Sequence, residues 1–156
     1  MLIEIEQNLL SFMLGYGGYA ALFLIGAIAT TLIPLSPEIV AVAVWDIGMP
    51  VIPSISALLL GNYIGNVANY VIGATGLHWA AKKYLSPSNT SLERAERLFK
   101  KHGPPILLLS WVPIIGDPLT FIPGIVRYNF KKFTMYILIG KMFRYALLYT
   151  LFELVT

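Results

Sequence analysis

The sequence predicts an all-α integral membrane protein in which a re-entrant helical hairpin and one transmembrane helix occur twice in inverted orientation, with amphipathic helices on the membrane surface. Three observations predict it. First, of 156 residues 57% are hydrophobic and 12% charged, the mean hydropathy is +0.73, and uncharged runs over 7–37, 47–81 and 133–140 exceed what a soluble core of this size needs. Second, all eleven Lys and Arg lie between Lys82 and Arg144, whereas residues 1–81 hold only acidic charges, Glu4, Glu6, Glu38 and Asp46. Third, proline-flanked acidic breaks interrupt the apolar sequence twice, TLIPLSPE at 31–38 and WVPIIGDP at 111–118.

One membrane domain, 1–156, is expected, with pseudo-repeat halves of about 1–81 and 91–156 and a linker at 82–90. Two basic stretches, Lys82 to Lys101 and Arg127 to Lys132, carry nine of the eleven cations. By the positive-inside rule loops 82–103 and 127–132 face the cytoplasm, which makes the chain a multi-pass inner-membrane protein. The net charge of +3 is then a topology signal, and no nucleic-acid partner is expected. An acidic N-terminus without a basic region gives no secretory signal peptide. The absence of cysteine excludes disulfides, and isolated His78 and His102 form no zinc site. Catalytic residues, metals and cofactors are not expected, because no Ser/His/Asp set or phosphate-binding glycine loop is present.

The elements follow in chain order. Residues 2–13 (Leu2, Ile5, Leu9, Phe12) form a weak amphipathic start. Residues 18–33, about 24 Å of helix, either cross or form the first limb of a hairpin. The first break has Pro34, then Ser36 as N-cap, Pro37 at the first helical position and Glu38 in the first turn. A full crossing over 54–81 follows. The capping box Thr90-x-x-Glu93, the apolar face Leu92, Ala95, Leu98 and Phe99, and the stop at Gly103-Pro104-Pro105 predict a surface helix over 91–102. Limbs at 105–112 and 118–126 would each span roughly 12–14 Å, half a bilayer. Between them lie Pro113, Gly116, Asp117 as N-cap and Pro118 at the first helical position. A second crossing over 133–152 closes the chain. At an offset of 79, Pro34 meets Pro113, Glu38 meets Asp117, Gly61 meets Gly140 and Tyr70 meets Tyr149.

Irregular backbone at membrane depth is tolerated only where protein buries it or water lines it, so the breaks imply a cavity. A carboxylate there costs about 2.5–3.5 kcal/mol on insertion scales. Glu38 and Asp117 are thus candidate transport or proton-coupling groups. The plain alternatives are a carboxylate satisfied by its own helix N-terminus for Glu38 and simple capping for Asp117. Lys141 and Arg144, at i and i+3 on one helix face, are candidate counter-ions for them or holders of an anionic head group; a purely structural ion pair or a snorkelling Lys141 is the other reading. Asn62, Asn66 and Asn69 form one polar stripe beside Gly61 and Gly65. The stripe serves interhelical packing or lines the cavity, and the glycines permit either internal packing or a homodimer face. Arg127 is a cavity candidate or, next to the basic turn, a positive-inside anchor. Asp46 is expected to be solvated, and Trp45, Trp79 and Trp111 to be interface or packing aromatics.

The blocks PLSPE, GNYIGNVANYVIG (61–73), SWVPIIGDPLTFIPGIVRYNFKKF (110–133) and GKMFRY (140–145) resemble, in order and spacing, the DedA family of the VTT membrane superfamily, and its small YqaA-like branch most closely. The resemblance covers residues 31–145. It implies two membrane-dipping hairpins that face each other among transmembrane helices. It further implies a proton-linked transporter or a lipid-translocating protein of scramblase or flippase type, whose partners are a membrane lipid or small-molecule substrate and protons or another cation. Many members carry Phe-x-Arg-x-x-Pro-x-x-Arg at the second hairpin. LLSWVPIIGDP replaces it here, so Ser110 and Asp117 stand where arginines are expected, which points to a different substrate. A small-solute or ion exporter using the same cavity and a non-transporting assembly factor are the competing functions.

Overall fold

The computed structural model describes residues 15–30, 37–75, 89–112 and 115–155, and every element among them is helical. In chain order these are α1 (Tyr16–Ala29), α2 (Pro37–Asp46), α3 (Val51–Ala74), α4 (Asn89–His102), a 3₁₀ helix (Pro104–Trp111), α5 (Gly116–Ile125) and α6 (Phe130–Val155). The breaks at Pro34 and Pro113, Ser36 and the stretches 2–13 and 82–88 lie outside the described residues.

Among the described residues only α3 and α6, with 24 and 26 residues, are long and apolar enough to cross a membrane; at 1.5 Å per residue they reach about 36 and 39 Å. α6 exceeds the crossing expected over 133–152, whereas α3, expected over 54–81, starts three residues earlier and ends at Ala74. α6 starts three residues earlier than expected because Asn129 caps it: its side-chain Oδ1 accepts the Lys132 amide at 3.1 Å and its backbone carbonyl accepts Phe133 N–H, an N-cap signal the sequence reading passed over. The other elements are short, α1 about 21 Å and α2 and α5 about 15 Å.

The segment 105–112, expected as an α-helical limb, falls in a 3₁₀ helix over Pro104–Trp111. Two opening prolines supply no N–H, and the first bond, Ile106 N–H to Gly103 carbonyl, already spans three residues. At about 2.0 Å rise, eight residues reach roughly 16 Å, further than an α-helix of that length would. Gly103, at φ +69°, ends α4 where the sequence predicts the stop. α2 begins at Pro37 with Glu38 in its first turn, as expected. Asp117, in contrast, is not an N-cap: α5 starts at Gly116, Ile115 precedes it without any side-chain cap bond, and Pro118 sits at the third helical position.

Contacts fix the directions of the elements. Along α3 the partners Asn62 and Tyr70 meet Lys141 and Phe130 of α6, so the long helices run antiparallel. α1 runs with α3: a Cβ on Gly61 would overlap the Phe23 carbonyl, and one on Gly65 would strike Thr30. The small-residue face of α3 is therefore filled by α1. α2 runs with α6, placing Glu38 beside Arg144 and Trp45 beside Tyr149 and Phe152. α5 runs with α3, since Asn69 meets Thr120 and Gly73 meets Phe121 and Ile125. The 3₁₀ helix runs with α6, with Leu108 at Gly140 and Trp111 at Phe143. Each short pair is consequently antiparallel within itself, and the N-termini of α2 and α5 approach the middle from opposite directions.

Two apolar clusters flank that middle. One joins Ala95 and Phe99 of α4 to Ile106, Leu107, Leu119, Ile122, Phe133 and Ile137. This anchors the amphipathic helix on the bundle while Arg94, Arg97, Lys100 and Lys101 stay exposed. The other joins Leu22, Ala41, Trp45, Met49, Leu58 and Tyr145. Burial repeats at the offset of 79. Each buried residue of α6 (Phe133, Ile137, Gly140, Lys141, Tyr145) lies 79 positions after a buried residue of α3 (Ser54, Leu58, Gly61, Asn62, Asn66), and Pro37, Ala41 and Trp45 likewise precede Gly116, Thr120 and Gly124.

The α5 C-terminus is a Schellman turn, with Tyr128 N–H on the Pro123 carbonyl, Arg127 N–H on the Gly124 carbonyl, and Arg127 at φ +51° in the position that glycine favours. Arg127→Gly should therefore raise stability by about 1 kcal/mol. Gly124→Ala should lower it by at least about 2 kcal/mol, because its Cβ would overlap the Tyr70 carbonyl and backbone cannot give way. Thermal melting of the two variants in detergent reads these opposite signs.

Candidate functional site

Asn62 stands eleven residues into α3 and Lys141 eleven into α6, each about 17 Å from its helix start. They meet: Lys141 Nζ donates to Asn62 Oδ1 at 3.2 Å. The long helices thus cross near their middles on a polar contact between positions 79 apart. Asn62 Nδ2 also donates to the Tyr145 hydroxyl at 3.1 Å, and both residues are buried.

The four predicted charged residues gather around this crossing. Lys141 Nζ lies 3.5 Å from Asp117 Oδ1, with Lys141 2% exposed and Asp117 42% exposed. The Asp117 carboxylate thus has one oxygen turned to the buried ammonium while the side chain opens outward. Arg144 forms an ion pair with Glu38, both about a fifth to a quarter exposed. Two anions and two cations balance, each paired across helices, and each carboxylate sits in the first turn of its own helix, where the positive end of the helix dipole favours it.

The asparagine stripe is fully buried. Asn69 Nδ2 donates to the Thr30 carbonyl at 3.1 Å and to Thr120 Oγ1 at 3.0 Å, and the Thr120 hydroxyl donates to the Asp117 carbonyl at 2.7 Å. This network ties α1, α3 and α5 together. Neither amide atom of Asn66 has a hydrogen-bond partner, and Ser110 Oγ and Asn69 Oδ1 have none either.

The structure thus brings together Glu38, Asp117, Lys141, Arg144, Asn62 and Asn69, with Pro37 and Gly116 buried at the starts of α2 and α5. A Cβ on Gly116 would overlap the Ser110 carbonyl, so the glycine lets the two limbs of the second pair touch. Arg127 is exposed in the turn after α5 and contributes nothing to the cluster; Asp46 is exposed as expected. Tyr145, Thr120 and Thr30 were not expected at the site, and Ser110 was singled out only as standing where the resemblance expects an arginine. Two of them had a signal: Tyr145 is four residues after Lys141 and Thr120 three after Asp117, on the same helix faces. Among the described residues no group of His, Cys, Asp or Glu could hold a metal ion.

Lys141→Met should lower the unfolding free energy by about 1–3 kcal/mol, less than the roughly 3–5 kcal/mol of a fully buried broken pair because Asp117 is partly open. Asp117→Asn on that background should recover part of the loss by removing the charge left unpaired. Melting of the two single variants and the double variant in detergent gives the coupling.

Residues 9–154 match the VTT domain family. The chain is 32% identical over 135 residues to a Haemophilus influenzae protein described only as uncharacterized, covering 81% of this chain and 82% of that one. It is 30% identical over 130 residues to the Escherichia coli inner membrane protein YqaA, covering 81% and 84%. It is 24% identical over 168 residues to Escherichia coli protein DedA, covering 96% and 74%. No solved structure matches significantly.

Proposed function

The chain belongs to the VTT domain family of membrane proteins, and on that premise we propose that it is a proton-linked transporter that moves a lipid or other amphipathic substrate across the inner membrane. The observation that carries this reading is the charge-balanced cluster at mid-depth, where Glu38–Arg144 and Asp117–Lys141 meet at the opposed N-termini of α2 and α5. Ionisable residues at such depth are costly and mark substrate or proton pathways by default.

In this reading α1–α2 and the 3₁₀ helix–α5 pair are re-entrant hairpins, and with α3 and α6 they form an inverted repeat. Broken helices whose N-termini meet at the midplane are the plan of secondary transporters. The antiparallel long helices and the burial pattern repeating at 79 residues support it. Loops 82–103 and 127–132 then face the cytoplasm. Protonation of Glu38 weakens its pairing with Arg144. The released guanidinium offers a cationic site to the substrate, and the first hairpin rocks by a few ångströms until Glu38 loses its proton again.

Absence of the family arginines at Ser110 and Asp117 favours one second reading, a small solute carried through the same cavity. Its flux would need a gradient and leave lipid asymmetry untouched.

The test is lipid exposure in proteoliposomes with a head-group-labelled lipid and an impermeant quencher. Flux in the parent should rise as the pH falls. Glu38→Gln should stay folded yet move lipid at a rate independent of pH. A folded Glu38→Gln protein that keeps the parent's pH dependence would sink the proton linkage, and a parent silent to lipid but active in solute flux would assign the second reading.

A further inference from the structure

The charges at the crossing are ion-paired with one another, but some of the neutral groups beside them have no partner. Asn66 is fully buried on α3, and neither its Oδ1 nor its Nδ2 has a partner. It lies one turn from Asn62, which holds Lys141, and three residues before Asn69, which meets Thr120. Because α5 runs with α3, Asn66 is level with Asp117, three residues before Thr120. Ser110, 1% exposed, has an unpartnered Oγ that stands 3.3 Å from where a Cβ on Gly140 would be, the residue next to Lys141. Asn69 Oδ1 adds a third unpaired acceptor.

A buried polar group left unpaired carries its full desolvation penalty, so such a set marks a place that a ligand or water completes. The inventory of atoms selects the ligand. The amide of Asn66 and the hydroxyl of Ser110 each donate and accept, and Asn69 Oδ1 only accepts. A cation would leave the Asn66 Nδ2 donor unpaired, and it would sit at the positive end of α5 beside Lys141. A bare anionic group would leave the carbonyl oxygens of Asn66 and Asn69 unpaired and face Asp117. A group that both donates and accepts pairs with all three.

We propose that Asn66, Asn69 and Ser110 form a subsite for the hydroxyl groups of a polyol head group, filled by water when no substrate is bound. The subsite deepens the transport reading by naming a substrate class, and rests on it only for how the head group arrives. Beside it, the cation freed from its carboxylate holds the phosphate that carries the polyol. The hydroxyls could come from a lipid head group or from a free polyol phosphate, and the two sources are separable by experiment.

The experiment is melting of the full-length protein in detergent with three added probes: phosphatidylglycerol, phosphatidylmethanol and free glycerol 3-phosphate. The two lipids carry the same single phosphodiester charge and differ in the head-group hydroxyls. Phosphatidylglycerol should raise the melting temperature at concentrations on the order of tenfold lower than phosphatidylmethanol does, about what one well-made hydrogen bond supplies. Asn66→Leu, which removes an unpaired buried amide and so should fold at least as well, should erase that difference. Ser110→Ala should reduce it and carries the same readout if Asn66→Leu does not fold. A response to glycerol 3-phosphate in place of the lipid, lost in the same variants, would keep the subsite and assign it a free solute. Equal responses to the two lipids with none to glycerol 3-phosphate, or a preference that survives both substitutions, would overturn the proposal. Melting reads binding alone, so failure of the subsite is distinguishable from absence of lipid movement in proteoliposomes.

Discussion

The described helices are arranged around two carboxylates and two cations that pair near the middles of two long apolar helices. An isolated charge in lipid is expensive, and a charge facing an opposite charge and a hydrogen-bonding amide is much less so. That requirement dictates the helix breaks. A continuous helix entering from either side would carry Glu38 or Asp117 past the middle with its backbone already satisfied. A helix that starts at Pro37 or Gly116 places its free first-turn amides and its positive dipole end at the carboxylate. The two short pairs, the crossing of α3 and α6 on Asn62 and Lys141, and the apolar clusters on either side all serve this one layer.

α2 and α5 are held differently, and the difference bears on which of the two helices moves. α5 is locked to α3 backbone against backbone: Gly124 meets Tyr70 and Gly73 meets Phe121, with no side chain between them. α2 meets α6 through long side chains, the Glu38–Arg144 pair and Trp45 against Tyr149 and Phe152 at ring-centroid distances of 6.0 and 5.4 Å. Side chains can change rotamer where opposed backbones cannot, so rocking α2 costs less than rocking α5. For that reason the mechanism assigns the switch to Glu38 and leaves Asp117 as the fixed partner of Lys141.

Much of this was legible because lipid simplifies the grammar of the sequence. Charge asymmetry, uncharged runs and proline-flanked acids pointed to the membrane, to the long helices and to the four charged residues that pair at the crossing. The less legible parts depend on tertiary context. The Asn129 cap is a local signal overlooked because the adjacent Lys131 and Lys132 drew the boundary to Phe133. Asp117 looked like a cap because it precedes proline, yet the helix starts one residue earlier, at a glycine seated against Ser110. Arg127 in a left-handed turn is unreadable from sequence, since glycine is the residue that position favours. Ser110, Thr30 and Tyr145 are ordinary residues until α1, the 3₁₀ helix and α6 bring them to the crossing.

The most direct measurement is a charge swap across the helix boundary, comparing Glu38→Arg, Arg144→Glu and the double variant by melting in detergent. If pairing of opposite charges organises the layer, each single reversal places like charges together and lowers stability. The double variant should then recover most of that loss, a coupling of at least about 1 kcal/mol. A double variant that loses the sum of the two single effects would mean that Glu38 and Arg144 are satisfied independently, and that the charged layer does not hold the two halves together.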